Sequence, residues 1–303
     1  MGNRLKLGTR KSKLALWQSE LVKAQLEALG HESELVEILS EGDKVLDTPL
    51  PLMGGKGVFT KALDDALLDE SIDFAVHSLK DIPTELPEGL ALAAILKRAS
   101  WEDVLVVRTD LDFLTANREM VIATSSNRRQ SQWLRRYPNT KMVDIRGNVQ
   151  TRIKKLRESD WDAAIFAAAG LERLGLDHEI AQRLDWMLPA PGQGAIAIVC
   201  RTKDQQVSNI LAQLHDEETA LCVQTERQYL NALNGGCTAP IGALAELKDG
   251  VLNFETVLMD PMAEAEIRID LTGDANKAPY LGLEASKIAK AKGAKEILAK
   301  LNK

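Results

Sequence analysis

The chain has 303 residues, of which 45% are hydrophobic and 27% charged, a composition typical of soluble globular proteins with two or three domains. No apolar run reaches the ~18–20 residues that a membrane-spanning helix needs, and three cysteines are too few for a disulfide framework. Because no secretory signal pattern opens the sequence either, we expect a cytoplasmic protein without a membrane partner.

The net charge of −6 is unevenly distributed along the chain. Residues 128–157 hold ten lysines and arginines and one aspartate. A cationic segment in an otherwise acidic chain favours an anionic ligand bound at one place. Nucleic acid is an alternative, because Trp133 and Tyr137 stand among these basic residues, but the acidic remainder argues against it.

Strand-like and helix-like patterns alternate over the first 200 residues. Short apolar or β-branched segments predict strands at 4–8, 34–39, 74–77, 90–96, 103–107, 121–124, 142–145, 163–167 and 195–200. Helical spacing predicts a helix that begins after Ser12, its N-cap residue, and further helices at 60–69, 127–136 and 149–158. The alternation indicates parallel or mixed sheets covered by helices, the α/β class.

The pattern changes near residue 217. A long helix is predicted at 217–234, where Gly235-Gly236 ends it. Three strands follow at 241–246, 251–258 and 264–270, and two helices close the chain. Strands followed by helices predict a separate α+β domain.

Polar residues cluster where four of the predicted strands end, at Thr9–Ser12, His77–Asp81, Thr124–Arg129 and Arg146–Asn148. Open α/β sheets bind ligands at the carboxyl ends of their strands. Helix N-termini at such places present free N–H groups to an anion, and arginine binds both oxygens of a carboxylate or phosphate at once. The sequence therefore predicts an anion site.

Five arginines near predicted helix starts are the strongest candidates for this site: Arg10, Arg128, Arg129, Arg146 and Arg152. A cation at a helix start opposes the helix dipole, so the placement costs stability unless an anion compensates it. A solvent-exposed helix face is the alternative interpretation, and it suits the mid-helix basic residues better.

Two further residues carry possible chemistry. Asp81 stands beside Lys80, and it is either one half of a surface ion pair or a carboxylate that stabilises a developing cation or moves a proton. Cys237 follows two glycines and precedes Pro240, which indicates an accessible turn. Its thiol either has no chemical role or is reactive, as a nucleophile or as a covalent tether.

Generic cofactor motifs are absent. Gly54–Gly57 lacks the spacing of a P-loop, and Gly192–Ala197 precedes a predicted strand, whereas a dinucleotide fingerprint follows one. The four histidines have no metal-ligand spacing, so no metal site is predicted.

Several ordered segments together resemble the porphobilinogen deaminase (hydroxymethylbilane synthase) family. They are Gly8–Ala15, Gly54–Phe59, Ala75–Asp81, Ala123–Gln130, Ile145–Arg152, Pro191–Ala195 and Gly235–Cys237. The resemblance covers nearly the whole chain. It implies a transferase of tetrapyrrole biosynthesis that condenses four porphobilinogen molecules on a dipyrromethane cofactor, releases ammonia at each step and hydrolyses off linear hydroxymethylbilane.

The resemblance also implies an architecture. It is two α/β lobes like those of periplasmic binding proteins, with a smaller C-terminal α+β domain. The implied boundaries are 1–97 with 195–213 for domain 1, 101–191 for domain 2, and 217–303 for domain 3. A monomer that binds porphobilinogen, and neither nucleic acid nor membrane, is expected.

Residue roles carried over from the family begin with Asp81, the catalytic carboxylate that stabilises positive charge on pyrrole nitrogens, and Cys237, the thioether tether of the cofactor. The other cofactor-binding residues implied are Ser78, Lys80, Thr124, Ser125, Ser126, Arg128, Arg129, Arg146 and Gly147. The substrate-binding residues implied are Arg10, Ser12, Lys56, Phe59, Arg146, Arg152, Arg173 and Gln193. The chain departs from the family pattern at Ala197 and Val199, where glycine and glutamate are usual.

Overall fold

The computed structural model describes residues 4–39, 60–236 and 238–300. Three predicted site residues, Lys56, Phe59 and Cys237, lie outside the described residues. The chain divides into two compact units: Met1–Ala99 with Ala195–Ala220, and Ser100–Gly194 with Leu221–Lys303. The three-domain boundaries stay a prediction.

Strands and helices are numbered here in chain order over the described residues. The strands are β1 (Leu5–Thr9), β2 (Ser33–Glu37), β3 (Phe74–Ser78), β4 (Leu90–Ile95), β5 (Asp103–Val107), β6 (Met120–Ala123), β7 (Thr140–Val143), β8 (Ala163–Ala167), β9 (Gln182–Arg183), β10 (Ile196–Arg201), β11 (Ile241–Lys248), β12 (Val251–Met259) and β13 (Glu266–Asp274). The α-helices are α1 (Lys13–Ala28), α2 (Lys61–Leu68), α3 (Asn127–Arg136), α4 (Val149–Glu158), α5 (Ala168–Glu172), α6 (Gln205–Leu211), α7 (Glu217–Ala232), α8 (Ala278–Ala291) and α9 (Ala294–Ala299). None of these helices has the length and hydropathy needed to cross a bilayer.

The first unit is built on a mixed sheet with the order β2-β1-β3-β10-β4. Strand β1 is parallel to β2 and β3, and β10 returns antiparallel between β3 and β4. Apolar residues of α1 such as Val22 and Leu26 pack on Leu7 and Phe74 of the sheet. Because β1 and β3 are parallel, their carboxyl ends share one edge of the sheet.

The second unit contains a sheet with the order β7-β6-β8-β5-β9. Strand β6 is parallel to β7 and β8, whereas β5 is antiparallel to β8 and pairs Asp103 with Ala167. Alternate residues of β5 enter two cores, Leu105 in one and Val104 in the other, as the two-residue period of a strand requires. The carboxyl ends of β6, β7 and β8 therefore share an edge with the first residue of β5.

A third sheet, β11-β12-β13, is antiparallel throughout and packs against α7, α8 and α9. Tyr229 of α7 meets Phe254 of β12 edge-on at 6.1 Å between ring centroids. The predicted α/β class with a smaller C-terminal α+β part is confirmed by these three sheets.

Two predicted strands are shifted by two residues or more at both ends. The strand predicted at 142–145 is β7, which starts two residues earlier because Thr140 pairs with Met120 and accepts a hydrogen bond from Trp133 Nε1 at 3.2 Å. The strand predicted at 264–270 is β13, whose end is set by pairing of Asp274 with Val251. Partners on neighbouring strands thus override the local pattern.

Candidate active site

The start of α1 and the end of β3 lie at the same edge of the first sheet. Ser12 is the N-cap residue of α1, as predicted, and its hydroxyl accepts a hydrogen bond from Ala15 N at 3.2 Å. Gln18 Nε2, one turn further on, donates to Ser78 Oγ at 2.8 Å. The predicted residues Ser12 and Ser78 are therefore held at one sheet edge, through backbone and side-chain contacts made within the protein.

Asp81 ends a single 3-10 turn, Leu79–Asp81, that follows β3 directly. The turn is fixed because Leu79 is buried and its N–H donates to Ala195 O at 3.0 Å. Lys80 and Asp81 are half-buried. Among the described residues, Asp81 has no ion pair, including none with Lys80, and no side-chain hydrogen bond. Its carboxylate therefore stands on a rigid turn with its oxygens uncommitted to the described protein.

His77, the residue before Ser78, is buried, and its Nε2 has no hydrogen-bond partner in the part of the chain that the structure describes. Burial, reinforced by the positive charge of Arg10, lowers the pKa of His77 to about 4. The imidazole is consequently neutral at neutral pH, and Arg10 lies close enough to β3 to influence it. Sequence reasoning placed His77 at the end of a strand but did not predict that its imidazole is neutral.

In the second unit, Arg128 and Arg129 at the start of α3 converge on one carboxylate, Asp103. Arg128 Nη1 donates to Asp103 Oδ2 at 2.6 Å and to Leu188 O at 2.7 Å. Arg129 donates to Asp103 Oδ1 through Nε at 3.0 Å and through Nη2 at 2.8 Å, and its Nη1 donates to Ile165 O at 2.8 Å. The tandem arginines are therefore a buried part of the unit.

The charge state of Asp103 follows from these neighbours. Full burial would raise the pKa of this carboxyl, but the charges of Arg128 and Arg129, with a hydrogen bond from Gln193, hold it well below its usual range. One carboxylate thus faces two guanidinium groups, which leaves the cluster with an excess positive charge. Sequence reasoning placed Asp103 only as the first residue of a strand. Its ion pairs with the two arginines could not be predicted, because they depend on β5 running antiparallel to β8.

Gln193 completes the shell of Asp103. Its side chain is fully buried, and Nε2 donates to Asp103 Oδ1 at 3.0 Å and to Trp101 O at 2.7 Å. The turn that carries it is held by the buried carboxylate of Glu226, which accepts from Gly192 N at 2.7 Å. Glu226 is a second residue that sequence reasoning missed, since an acidic residue on an amphipathic helix is ordinarily exposed.

The hydroxyl residues before α3 bind backbone. Ser125 Oγ is 3.0 Å from both the N and the O of Ile145, so it ties the end of β6 to the loop that follows β7. Thr124 Oγ1 accepts from Ser126 N at 3.3 Å. These contacts bring the predicted residues 124–126 beside the predicted loop 146–148.

That loop leads into α4. Gly147 has a φ of +113°, which glycine adopts readily, and its carbonyl accepts from Arg152 Nε at 2.8 Å. Asn148 caps α4 through a hydrogen bond from Thr151 N at 2.9 Å. Arg146 is half-buried and makes no ion pair or side-chain hydrogen bond with the described residues.

Arg173, the last predicted arginine, follows α5. Its Nη2 donates to Gly194 O at 2.6 Å. Burial lowers its pKa to about 10, although Glu172 opposes the shift, so the guanidinium remains a cation at neutral pH. It lies next to the Gln193 turn.

Curated relatives match this chain over nearly its whole length. Three proteins named porphobilinogen deaminase come from Syntrophotalea carbinolica, Chloroherpeton thalassium and Staphylococcus carnosus. They are 43%, 40% and 40% identical to it. The first alignment covers 98% of this chain and 96% of that protein, and the other two cover 99% of this chain and 98% of each relative.

Solved structures give a weaker likeness. The periplasmic VFT2 domain of BvgS from Bordetella pertussis aligns with a TM-score of 0.43 and 16% identity, covering 71% of this chain and 90% of that chain. A YaeC-family lipoprotein from Enterococcus faecalis aligns with a TM-score of 0.44 and 14% identity, covering 72% and 94%. Likeness at this level carries no argument about function.

Two family models match consecutive parts of the sequence. Residues 5–209 match the model described as porphobilinogen deaminase, dipyromethane cofactor binding domain, and residues 220–291 match the model of the C-terminal domain of the same family. The family that the sequence segments resemble is the family that both models describe, and the chain belongs to the porphobilinogen deaminase family.

Proposed function

We propose that this chain is a hydroxymethylbilane synthase, a transferase of tetrapyrrole biosynthesis. It condenses four porphobilinogen molecules head to tail on a covalently bound dipyrromethane, releases ammonia at each step and finally releases linear hydroxymethylbilane by hydrolysis. The observation that carries the proposal is the match of residues 5–209 to the cofactor-binding domain of the family.

The cationic residues fit a cofactor of this kind. Pyrrole units of dipyrromethane carry acetate and propionate groups, and guanidinium groups bind carboxylates with two parallel hydrogen bonds. Arg146 has no described partner, and the Asp103 cluster has an excess positive charge. Arg128, Arg129 and Arg146 would hold the carboxylates, and Cys237 would form the thioether. When bound, the cofactor supplies the pyrrole carbon that receives the first substrate.

The residues assigned to substrate binding are Arg10, Ser12, Lys56, Phe59, Arg146, Arg152, Arg173 and Gln193. Arg10 and Ser12 lie at the edge of the first sheet, in the first unit, and Arg173 and Gln193 lie in the second. The Gln193 side chain is turned toward Asp103, so we assign it a supporting role through that carboxylate.

Asp81 is proposed as the catalytic carboxylate. Loss of ammonia from porphobilinogen leaves an electron-poor pyrrole, and positive charge develops on the ring nitrogens when carbon–carbon bond formation follows. A carboxylate held on the rigid Leu79–Asp81 turn stabilises that charge without reorganisation, which is the largest single contribution in many enzymes. The uncommitted oxygens of Asp81 support this assignment.

Intact-mass spectrometry tests the function. Protein made in cells that synthesise porphobilinogen should exceed its sequence mass by two pyrrole units, react with Ehrlich's aldehyde reagent to give a coloured product, and gain further pyrrole units when substrate is added. Cys237→Ser should lose the extra mass, whereas Cys200→Ser, which changes a buried core thiol, should keep it. A native chain of unmodified mass that does not consume porphobilinogen contradicts the proposal.

We also propose that the chain is a cytoplasmic monomer that does not bind nucleic acid.

There are two competing functions. One is the capture of a small anion between two lobes without reaction, and the other is nucleic-acid binding by residues 128–157. The second predicts salt-dependent retention on DNA or RNA. Burial of Arg128 and Arg129 disfavours it, because the long backbone of a nucleic acid contacts cations at the protein surface, whereas a small ligand can bind at a buried position.

A further inference from the structure

The two tandem arginines use their nitrogen atoms differently. Every nitrogen of Arg129 is bonded within the protein, Nε and Nη2 to Asp103 and Nη1 to Ile165 O. Arg128 binds Asp103 and Leu188 O through Nη1 alone, and its Nε and Nη2 have no hydrogen-bond partner among the described residues. A guanidinium has five N–H donors. Arg128 therefore keeps all the N–H groups of Nε and Nη2 for a ligand, whereas Arg129 keeps only one N–H group on each of Nη1 and Nη2, nitrogens that already bind the protein.

We propose that Asp103 is a positioning residue of the carboxylate-binding site. It binds Arg129 through two nitrogens and Arg128 through one, and so holds both guanidinium groups in place while Arg128 keeps more donors for the ligand. This inference rests on the proposed function and deepens it. It separates two neighbouring residues that the sequence makes equivalent, and it adds a third residue to the site.

The charge of the cluster supports this role. A buried charge is tolerated when it is paired, and Asp103 pairs with two guanidinium groups while itself fully buried. The excess positive charge is compensated when a ligand carboxylate binds, so Asp103 reduces the charge of the empty site without abolishing its affinity for an anion.

Asp103 is also rigid enough to act as an anchor. It pairs with Ala167 in the sheet, its carbonyl accepts from Leu184 N at 2.9 Å, and its carboxylate accepts from Gln193. A group fixed on strand and turn at once orients its partners more sharply than a group on a loop. Glu226 in turn holds the loop that carries Gln193, because its carboxylate accepts a hydrogen bond from Gly192 N.

The opposite end of the same sheet offers a matched control. Asp162 precedes β8, is buried, and binds the guanidinium of Arg118 and the N–H of Val121. As at Asp103, its partners lower the pKa of the carboxyl against the effect of burial. Asp162 pairs with one exposed arginine at the amino end of β8. It is therefore a buried, ion-paired carboxylate like Asp103, but it lies outside the proposed site.

The test compares Asp103→Asn with Asp162→Asn and with the wild-type chain. For each protein, the attached mass, the unfolding midpoint in urea, kcat and KM for porphobilinogen are measured at a temperature where circular dichroism shows the chain to be folded. We expect Asp103→Asn to carry the cofactor incompletely and its loaded fraction to show a KM raised about tenfold or more, because misplacement of a binding group by a fraction of an ångström is costly. Asp162→Asn should lose stability but keep the loading and KM of the wild type.

Equal loading and KM in the two variants overturn the inference, and so does tighter substrate binding by Asp103→Asn, which would make the carboxylate a competitor of the ligand. If Asp103→Asn does not fold, Asp103→Glu replaces it. A positioning role predicts a raised KM although the charge is kept, whereas an unchanged KM contradicts it. Failure of the proposed function itself is recognised separately, because the wild-type chain would then carry no pyrrole mass.

Discussion

Asp81 and Asp103 are carboxylates in opposite situations, each in its own unit. Asp103 is fully buried and bound by two guanidinium groups, whereas Asp81 is half-buried and has no described partner. A carboxylate that is saturated by protein donors positions those donors, and one with free lone pairs can accept from a ligand. The two residues therefore suit different tasks.

Asp81→Asn tests the catalytic assignment at this scale. The amide keeps the shape of the side chain but removes its charge, so we expect kcat to fall by about 10²–10³, while KM, cofactor mass and unfolding midpoint stay near those of the wild type. Glu85→Gln, which neutralises an exposed carboxylate of the same segment, is the control and should leave kcat unchanged. Normal turnover by Asp81→Asn would remove the assigned role.

At the scale of elements, the starts of α3 and α4 carry cations where helices ordinarily carry acids. Neither first turn contains an acidic residue. In α3 the carboxylate of Asp103, from β5, compensates Arg128 and Arg129; in α4 the side chain of Asn148 caps the helix and the carbonyl of Gly147 binds Arg152. Both helices thus depend on groups outside them for a stable start.

Gly147→Ala tests how tightly the loop before α4 packs against the first turn of that helix. A Cβ at this position would lie 2.7 Å from Thr151 Cγ2, at a φ of +113°. We expect the free energy of unfolding to fall by about 1–3 kcal/mol, through backbone strain and this contact.

Gly175→Ala is the matched control for that substitution, because Gly175 also has a positive φ but nothing lies within 4 Å of its added Cβ. It should cost less than Gly147→Ala in urea unfolding. Adding Thr151→Ser to Gly147→Ala removes the opposing methyl and should restore part of the lost stability. Equal costs for the two glycines would contradict the role of the contact.

At the scale of the whole molecule, His77 makes stability depend on pH. The unfolded chain binds a proton on this imidazole near its ordinary pKa of about 6.5, whereas the folded chain binds it only near pH 4. Between these values the unfolded state holds more protons, so acid stabilises it relative to the folded state. The free energy of unfolding therefore decreases as the pH falls from about 6.5 toward 4.

His77→Gln should flatten this part of the pH profile. Urea unfolding of the wild-type chain between pH 7 and pH 4 should show a loss from His77 of up to about 3 kcal/mol, and the variant should lose correspondingly less. His178→Gln, at an exposed histidine, should reproduce the wild-type slope. Parallel profiles for all three proteins would show that His77 does not titrate in this way.

The amino-acid sequence by itself determined the α/β class, the bounds of β5, α3, α4 and β8, the N-cap at Ser12 and the family segments, because periodicity, capping and motif spacing are properties of neighbouring residues. Only the tertiary structure decided that Arg128 and Arg129 share the carboxylate of Asp103, that Gln193 faces inward and that His77 is buried with no partner for Nε2 among the described residues. These features depend on the return of β5 and β10 antiparallel to strands distant in the chain. Burial and pairing of a charge are set by whatever the fold brings beside it, and no local pattern contains that information.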